Sequence, residues 1–464
     1  MEKILFVSFH TRGVVGIRSI AGILKEEYLA DILFFMDFEV MEPTSKKIKI
    51  NYSKINRIFN DYKYILINVV EYTKKRVLDI SKNINQKNRD KIVLGGPAVI
   101  TNPDDFSKFA KHLCFWEGEN IDSYLKNINN KKNIPNFNKS KAYYQIDDLD
   151  NLPFQNTDFN HYYFYIKNKI ISKKKFDYKG LYTMETIRGC PFNCTFCTNK
   201  VYNQIKKSNN LKLIRKKSIN RTIEELVFFK DKGFNEIEIV DDNFFLRSLK
   251  EIKEFILRYN KEVNLPLYLN LDMRSKDFLK KFQEINKIKE ELTISIGIQN
   301  GDENFRRNEY NRIISNKLII AFDKEMYKIR NGRVNIIYEF IWGHPHETES
   351  NIIKTTNLIK KLNGRIVLCK YIEFGTENIY PFNDNKILNF GNKSFLYIQM
   401  LLVFYLKNKN MKVRINNPIK NKIICKFFSN YMLLKGISFF LSTRANFKKR
   451  RKLQNIYRYL NKIS

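Results

Sequence analysis

Short apolar runs alternate with helix-like stretches twice along this 464-residue chain, and that alternation limits its fold more than any other feature. In the first 130 residues, "ILFVSF" (4–9), "DILFF" (31–35), "YILINVV" (64–70), "KIVLGG" (91–96) and "HLCFWEGE" (112–119) read as buried strands. They are rich in Ile, Val and Phe and bounded by turn residues. Between them, "VVGIRSIAGILKEEYL" and "KKRVLDISKNINQ" carry apolar residues at i, i+3 and i+4. Strand and helix in alternation imply a parallel, doubly wound, Rossmann-like sheet, whose ligands sit beyond the carboxyl ends of the strands. His10, Gly95, Gly96, Glu117, Gly118 and Glu119 fall at those ends. The G-x-G-x-x-G of a dinucleotide site is absent, and "RGVVG" after the first strand is a poor substitute.

The pattern resumes at about residue 181. "LYTMETI", "EIEIV", "LYLNL", "TISIGI", "VNIIYEFI" and "RIVLCKYI" read as strands, with helical stretches between them. Six βα units are enough for a partial (β/α)6 barrel. Residues 131–180, rich in Asn, Lys, Asp and Tyr, read as a connector between the 1–130 and 181–385 domains. A chain this long exceeds one ordinary core, in keeping with that division.

Charge sets off the last segment, 386–464, expected to be mainly helical. The chain carries a net charge of +35, and from Asn385 to Ser464 there are 18 Lys and Arg but no Asp or Glu. This reads either as a Lys- and Asn-rich coding bias with solvated basic faces or as a segment that holds an anionic partner. The apolar runs "FLYIQMLLVFYL" and "FFSNYMLLKGISFFL" are too short to span a bilayer. They suit a cover for the open barrel edge, or a basic segment resting on an anionic membrane surface, with "KKRRK" (448–452) as the charged element. The start "MEKILFVSFH" lacks a signal peptide's basic region and cleavage site, so a cytoplasmic setting, with peripheral contact at the inner membrane face, is expected.

"ETIRGCPFNCTFCTNK" (185–200) places Cys190, Cys194 and Cys197 directly after a strand, while Cys114, Cys369 and Cys425 are scattered. Three thiolates spaced C-x3-C-x2-C can hold three irons of a cubane cluster and leave the fourth without a protein ligand. Structural zinc would want a fourth His or Cys, and none lies within 25 residues of the three cysteines. Six unevenly spaced cysteines do not make a disulfide framework.

This loop resembles that of the radical SAM enzymes, with Phe196 as the aromatic before the last cysteine. The resemblance implies a [4Fe-4S] cluster on Cys190, Cys194 and Cys197, with S-adenosylmethionine (SAM) on the open iron. "EIEIVDDNFF" is similar to the segment after the family's second strand, which puts Asp241, Asp242 and Asn243 near cosubstrate or substrate. "SIGIQNGDENF" resembles the fourth-strand motif and implies SAM contacts by Gln299 and Asn300, with Arg312 of "YNR" following. "YEFIWGHPHETES" matches the fifth, which sets the backbone at Ile341 and Gly343 beside adenine, and "FGTENIY" resembles the sixth-strand turn. Asn300 stands where Ser is commoner and His346 where Gly is commoner. Without the family, the paired Asp residues read as a helix cap, and His344 and His346 as a shaped turn or a metal pair.

"KIVLGGPAVITNP" and "CFWEGEN" in turn look like the cobalamin-binding domain that precedes the barrel in one radical SAM subfamily. That resemblance implies cobalamin contacts at His10, Gly95, Gly96, Glu117 and Gly118. No D-x-H-x-x-G is present, so cobalt without a histidine lower ligand is expected. The alternative is a domain that keeps the fold without cobalamin. The activity so implied is C-methylation of an unactivated carbon, with a flavodoxin- or ferredoxin-type electron donor and an anionic or lipid-like substrate. A cyclisation or rearrangement without methyl transfer, tRNA modification and a non-catalytic scaffold are the alternatives, and no stable nucleic-acid partner is favoured.

Overall fold

The computed structural model describes residues 1–9, 14–36, 50–114, 116–129, 144–166, 168–174, 180–329, 332–371 and 400. β1 (Glu2–Ser8), β2 (Tyr28–Phe35), β3 (Tyr64–Asn68), β4 (Ile92–Gly95) and β5 (His112–Leu113) lie where the apolar runs predict them. They pair in parallel in the order β5-β4-β3-β1-β2. Ile4 and Phe6 of β1 face a core with Ile17, Leu24, Ile121 and Leu125 of two helices, Val15–Leu24 and Ile121–Asn129. Leu5 and Val7 face the opposite core, with Ile55, Phe59, Val77 and Ile80. Burial on both faces explains why the strand is an unbroken apolar run rather than an alternating one. β2 and β3 flank β1 on opposite sides, so the connections leaving β1 and β3 part and open a crevice at the carboxyl ends.

The sheet has two further strands. β6 (Tyr162–Ile166) pairs in parallel with β2, and β7 (Lys169–Lys173) pairs antiparallel with β6. Both fall inside the stretch read as a connector, where the polar surroundings of "YYFYI" hid an aromatic strand. Buried Asp31 fixes the join: its Oδ1 accepts from the His161 N–H at 2.9 Å and its Oδ2 from the Tyr62 hydroxyl at 2.6 Å.

The second half contains β8 (Leu181–Met184), β9 (Ile187–Arg188), β10 (Arg215–Lys216), β11 (Glu236–Ile239), β12 (Leu267–Leu271), β13 (Leu292–Gln299), β14 (Val334–Trp342) and β15 (Arg365–Lys370). Six of these form the all-parallel sheet β8-β11-β12-β13-β14-β15, the expected partial barrel. β9 and β10 form a short antiparallel ribbon beside it. Helices between the strands pack Leu226, Phe229, Phe255, Phe282, Phe322 and Leu358 onto the sheet. Their starts carry side-chain caps, as at Ser218 and at the Ser248–Glu251 box. Of the basic C-terminal segment only Met400 is described, buried in the barrel core, so neither "FGTENIY" nor the role expected of the tail can be placed. Among the described residues, no helix is long and apolar enough to cross a membrane.

Candidate functional site

The cysteine loop runs from β9 to the helix Thr198–Ser208, and buried groups set its course. Asp241, just after β11, accepts from the Thr186 N–H at 2.5 Å, the Ile187 N–H at 2.8 Å and the Thr186 hydroxyl at 2.6 Å. Burial pushes its carboxyl up to about 6 against these donors and the guanidinium of Arg247. Asp241 thus holds the chain entering the loop and caps no helix. Asn243 instead caps the next turn, accepting from Phe245 N–H, and also accepts from Asp272 N–H and donates to the Ser275 hydroxyl. Gly189 sits at φ +95°, and a Cβ there would come within 2.1 Å of the Leu213 carbonyl oxygen. Only glycine lets the loop start so close to its neighbour.

Cys190 and Cys194 are buried, and Cys197 is half-buried at the helix N-terminus. Burial pushes the Cys190 thiol up to about 12. It raises Cys197 too, against the Asn199 N–H and helped by Asp242. A bare loop therefore keeps these two thiols protonated, and a metal would displace the protons. Asp242 is exposed, and its charge reaches Cys190, Cys197 and Glu185. Three sheltered sulfurs on one short loop fit a three-cysteine cluster.

Phe196 lies edge-on to Tyr310, with ring centroids 5.1 Å apart. Tyr310 is fully buried, and its hydroxyl has no hydrogen-bond partner among the described residues. A buried unpaired hydroxyl is costly unless a ligand completes it. Arg312 donates through Nη2 to the Gly297 carbonyl at 2.7 Å and brings Nη1 within 3.5 Å of Cys194 Sγ. Arg274 comes closer to the same sulfur, and the sequence reading passed over it. Its place just past β12, where barrel chemistry gathers, was the available signal.

The fourth- and fifth-strand residues are divided between cavity and framework. Gln299 is buried, has φ +76° and sits at the register shift between β13 and β14. Asn300, expected to touch SAM, is fully buried and committed elsewhere. Its Nδ2 donates to Glu347 Oε1 at 2.8 Å, and its Oδ1 accepts from the Asp302 N–H and the Thr355 hydroxyl. Glu347 Oε2 accepts from the Gly343 N–H at 3.0 Å, so Asn300 braces the ends of β13 and β14. Ile341 and Gly343 are half-buried at the end of β14, Gly343 at φ +82°. His344 Nδ1 accepts from the His346 N–H at 3.2 Å, a turn-shaping contact. His346 Nδ1 lies 2.9 Å from Glu309 Oε2, and side-chain atoms of all three residues fall within 4.8 Å of one another.

His10 lies outside the described residues. Gly95, Gly96 and Gly118 line the ends of β4 and β5. A Cβ on Gly96 (φ +103°) would meet Asn68 Oδ1 at 2.2 Å and the Val69 carbonyl at 2.8 Å. Trp116, past β5, is in ring contact with Tyr202 of the helix after the cysteines, centroids 5.8 Å apart. Glu117 and Glu119 face the barrel's arginines. Glu119 accepts from Arg215 Nη1 at 2.7 and 3.0 Å and from Arg188 Nη1 at 2.6 Å, while Glu117 accepts from Arg215 Nη2 at 2.7 Å. Arg215 and Glu119 are at most 1% exposed in their side chains. Glu117 thereby belongs to an ionic clamp between the domains, tied to the strand that leads into the cysteine loop.

Beside the clamp, a cavity is lined by Ser19, Ile20, Glu117, Gln155, Glu185 and Arg188. The Glu185 side chain is 32% exposed. Burial in the surrounding groups nevertheless pushes its carboxyl up to about 7; Arg188 opposes this, and the charges of Glu117 and Asp242 add to it.

Residues 184–359 match the family described as the radical SAM superfamily. The matched span opens at the end of β8 and closes in the helix before β15, so it holds the cysteine loop and the strand ends described above. Over 390 residues the chain is 24% identical to the uncharacterized methyltransferase PH0819 of Pyrococcus horikoshii, covering 79% of this chain and 76% of that protein. Its fold is similar to that of the radical SAM methyltransferase TsrM of Kitasatospora setae, solved with cobalamin and a [4Fe-4S] cluster bound. The TM-score is 0.57 at 12% identity, over 80% of this chain and 72% of that one. A second TsrM structure, with tryptophan substrate and the SAM analogue aza-SAM, aligns with a TM-score of 0.54 at 12% identity over 80% and 73%.

Proposed function

We propose that this radical SAM enzyme is a cobalamin-dependent methyltransferase acting on an unactivated carbon. The observation that carries the reading is the apposition of two strand-end surfaces: the glycine-lined loops after β4 and β5 lie against the helix that follows the cysteines, through Trp116 and Tyr202. When bound, the cluster with SAM supplies a hydrogen-abstracting radical and cobalamin a transferable methyl group. Cys190, Cys194 and Cys197 would hold the cluster. Phe196 and the Tyr310 hydroxyl, unpaired among the described residues, offer the cosubstrate an aromatic edge and a polar partner. Gly95, Gly96 and Gly118 let the strand-end turns pack tightly, since a Cβ on them would meet Cys114, Asn68 and Val69, or Ile20, and the short bare turns that result suit a flat macrocycle laid against them. The Glu117–Glu119 clamp holds the two surfaces at a fixed separation and limits water between them. The methyltransferase name of the archaeal relative and the cobalamin of the TsrM neighbour support the same reading.

The test is anaerobic incubation of the full chain with methyl-labelled SAM, a low-potential reductant and cobalamin, with tryptophan as first substrate probe. Retention of cobalamin through gel filtration and label appearing on cobalamin support the reading, and label on tryptophan would also name the substrate. SAM cleavage equally fast in protein shown to be cobalamin-free, with no cobalamin retained, would overturn it.

A further inference from the structure

The three sulfurs of the loop sit in unequal electrostatic surroundings. The recorded polar side-chain neighbour of Cys197 Sγ is a neutral amide, Asn199 Nδ2, at 3.6 Å. Cys194 Sγ instead meets two guanidiniums, Arg274 Nη2 at 3.2 Å and Arg312 Nη1 at 3.5 Å. Asp272 binds both: Arg274 donates to it through Nε at 3.0 Å and Nη2 at 2.7 Å, and Arg312 Nη1 lies 3.1 Å from its Oδ2. Burial would raise the Asp272 carboxyl, yet the two arginines hold it below the usual carboxylate range, so it stays ionised. The Arg274 guanidinium also lies 3.8 Å from the centroid of the Phe192 ring, inside the loop itself. Two cations and one anion leave a single positive charge against Cys194, in side chains no more than 11% exposed.

We infer that Arg274 is a positioning residue that raises the reduction potential of the cluster through Cys194, with Asp272 aiming the guanidinium and Phe192 holding its plane. The inference rests on the reading of the three cysteines as cluster ligands. Cluster potentials depend on local net charge and on hydrogen bonds to the sulfurs. Reduction adds one electron from a low-potential donor and makes or breaks no bond at Arg274. The added negative charge is held by the cation already in place. Asp272 offsets one of the two cations, and Arg312 is anchored further to the β13 backbone at the Gly297 carbonyl. Arg274, the nearer to Cys194 at 3.2 Å, is therefore the cation whose removal the test reads.

The experiment compares full-length wild type with Arg274→Gln, Arg274→Lys and Asp272→Asn after anaerobic reconstitution. Iron and sulfide content are measured first, then the midpoint by redox titration followed by electron paramagnetic resonance. At the potential that half-reduces wild type, the reduced-to-oxidised ratio in Arg274→Gln should fall about tenfold, which for a one-electron couple is about 59 mV. Arg274→Lys should recover most of the loss. Asp272→Asn removes the opposing anion and should move the midpoint the other way, which keeps the test decisive if Arg274→Gln loses its iron. Full iron with an unchanged midpoint in Arg274→Gln, or a shift of the same sign in both neutralising variants, would overturn the inference alone. Absence of iron from wild type as well would overturn the cluster reading beneath it.

Discussion

The two parallel sheets end in opposite kinds of surface. At the carboxyl ends of the barrel strands, buried charged and polar side chains are fixed to one another: Asp241 to Thr186, Asn300 to Glu347, Arg312 to Asp272. At the ends of β4 and β5, glycines turn the backbone tightly against Asn68, Val69, Ile20 and Cys114, and Gly96 and Gly118 adopt positive φ. A shared fold class thus supports two ways of building a strand end. One locks charged and polar side chains to one another, and the other turns bare backbone closely against its neighbours.

The sharpest break of this contrast is on the charged side. Cys197→Ala should remove the visible absorption of the reconstituted cluster and all formation of 5′-deoxyadenosine. Cys114→Ala, at a half-buried residue whose thiol is pushed up to about 11 by its surroundings beside the glycine-lined end, should leave cluster absorption intact. Next comes Asp241→Ala, which strands the Thr186 and Ile187 donors and removes a buried carboxylate whose charge faces the Arg247 guanidinium. It should cost about 3 to 5 kcal/mol in urea unfolding; a change under 1 kcal/mol would show that the barrel network is not a framework at all.

On the glycine side the effects are smaller. Gly96→Ala should cost about 1 to 3 kcal/mol through its positive φ and the contact with Val69 O, and should lower cobalamin retention. Gly16→Ala, in a helix with open space around it, should be neutral or stabilising by about 0.4 to 1 kcal/mol. Equal losses at both positions would erase the claim that Gly96 is special. The smallest effect concerns Glu185, at the border between the two surfaces. Its folded carboxyl titrates near 7 against 4.5 for the free group, so the unfolded chain ionises first as pH rises. Stability should then decline between about pH 4.5 and pH 7 and level off above. Glu185→Gln should flatten that part of the Tm profile; a profile parallel to wild type would refute the raised value.

The cysteine spacing and the strand runs were legible because each is written in adjacent residues. Residues 190–197 put three cysteines on one short loop, and "ILFV" declares a strand buried on both faces. The Glu119–Arg215 pair spans 96 positions, and nothing local in either segment announces the other. Arg274 belongs to a charged turn, "DMRSKD", that reads as ordinary surface until the fold brings Cys194 to it. Asn300 shows the same limit. Its place beyond β13 suggested a ligand contact, but a side chain there can turn inward, and Glu347 and Thr355 supply partners for both ends of its amide. β6 escaped because composition averaged over a polar stretch hides a five-residue aromatic run.

That last strand bears on how the molecule can be divided. A fragment ending at residue 130 would take β2 without its outer neighbour, leaving Ile32 to Phe35 as a bare apolar edge ready to pair with another chain. Asp31 would also lose the His161 N–H. A cut beyond Lys173 keeps both strands, so the natural joint between the halves lies about forty residues later than the change in sequence texture suggests.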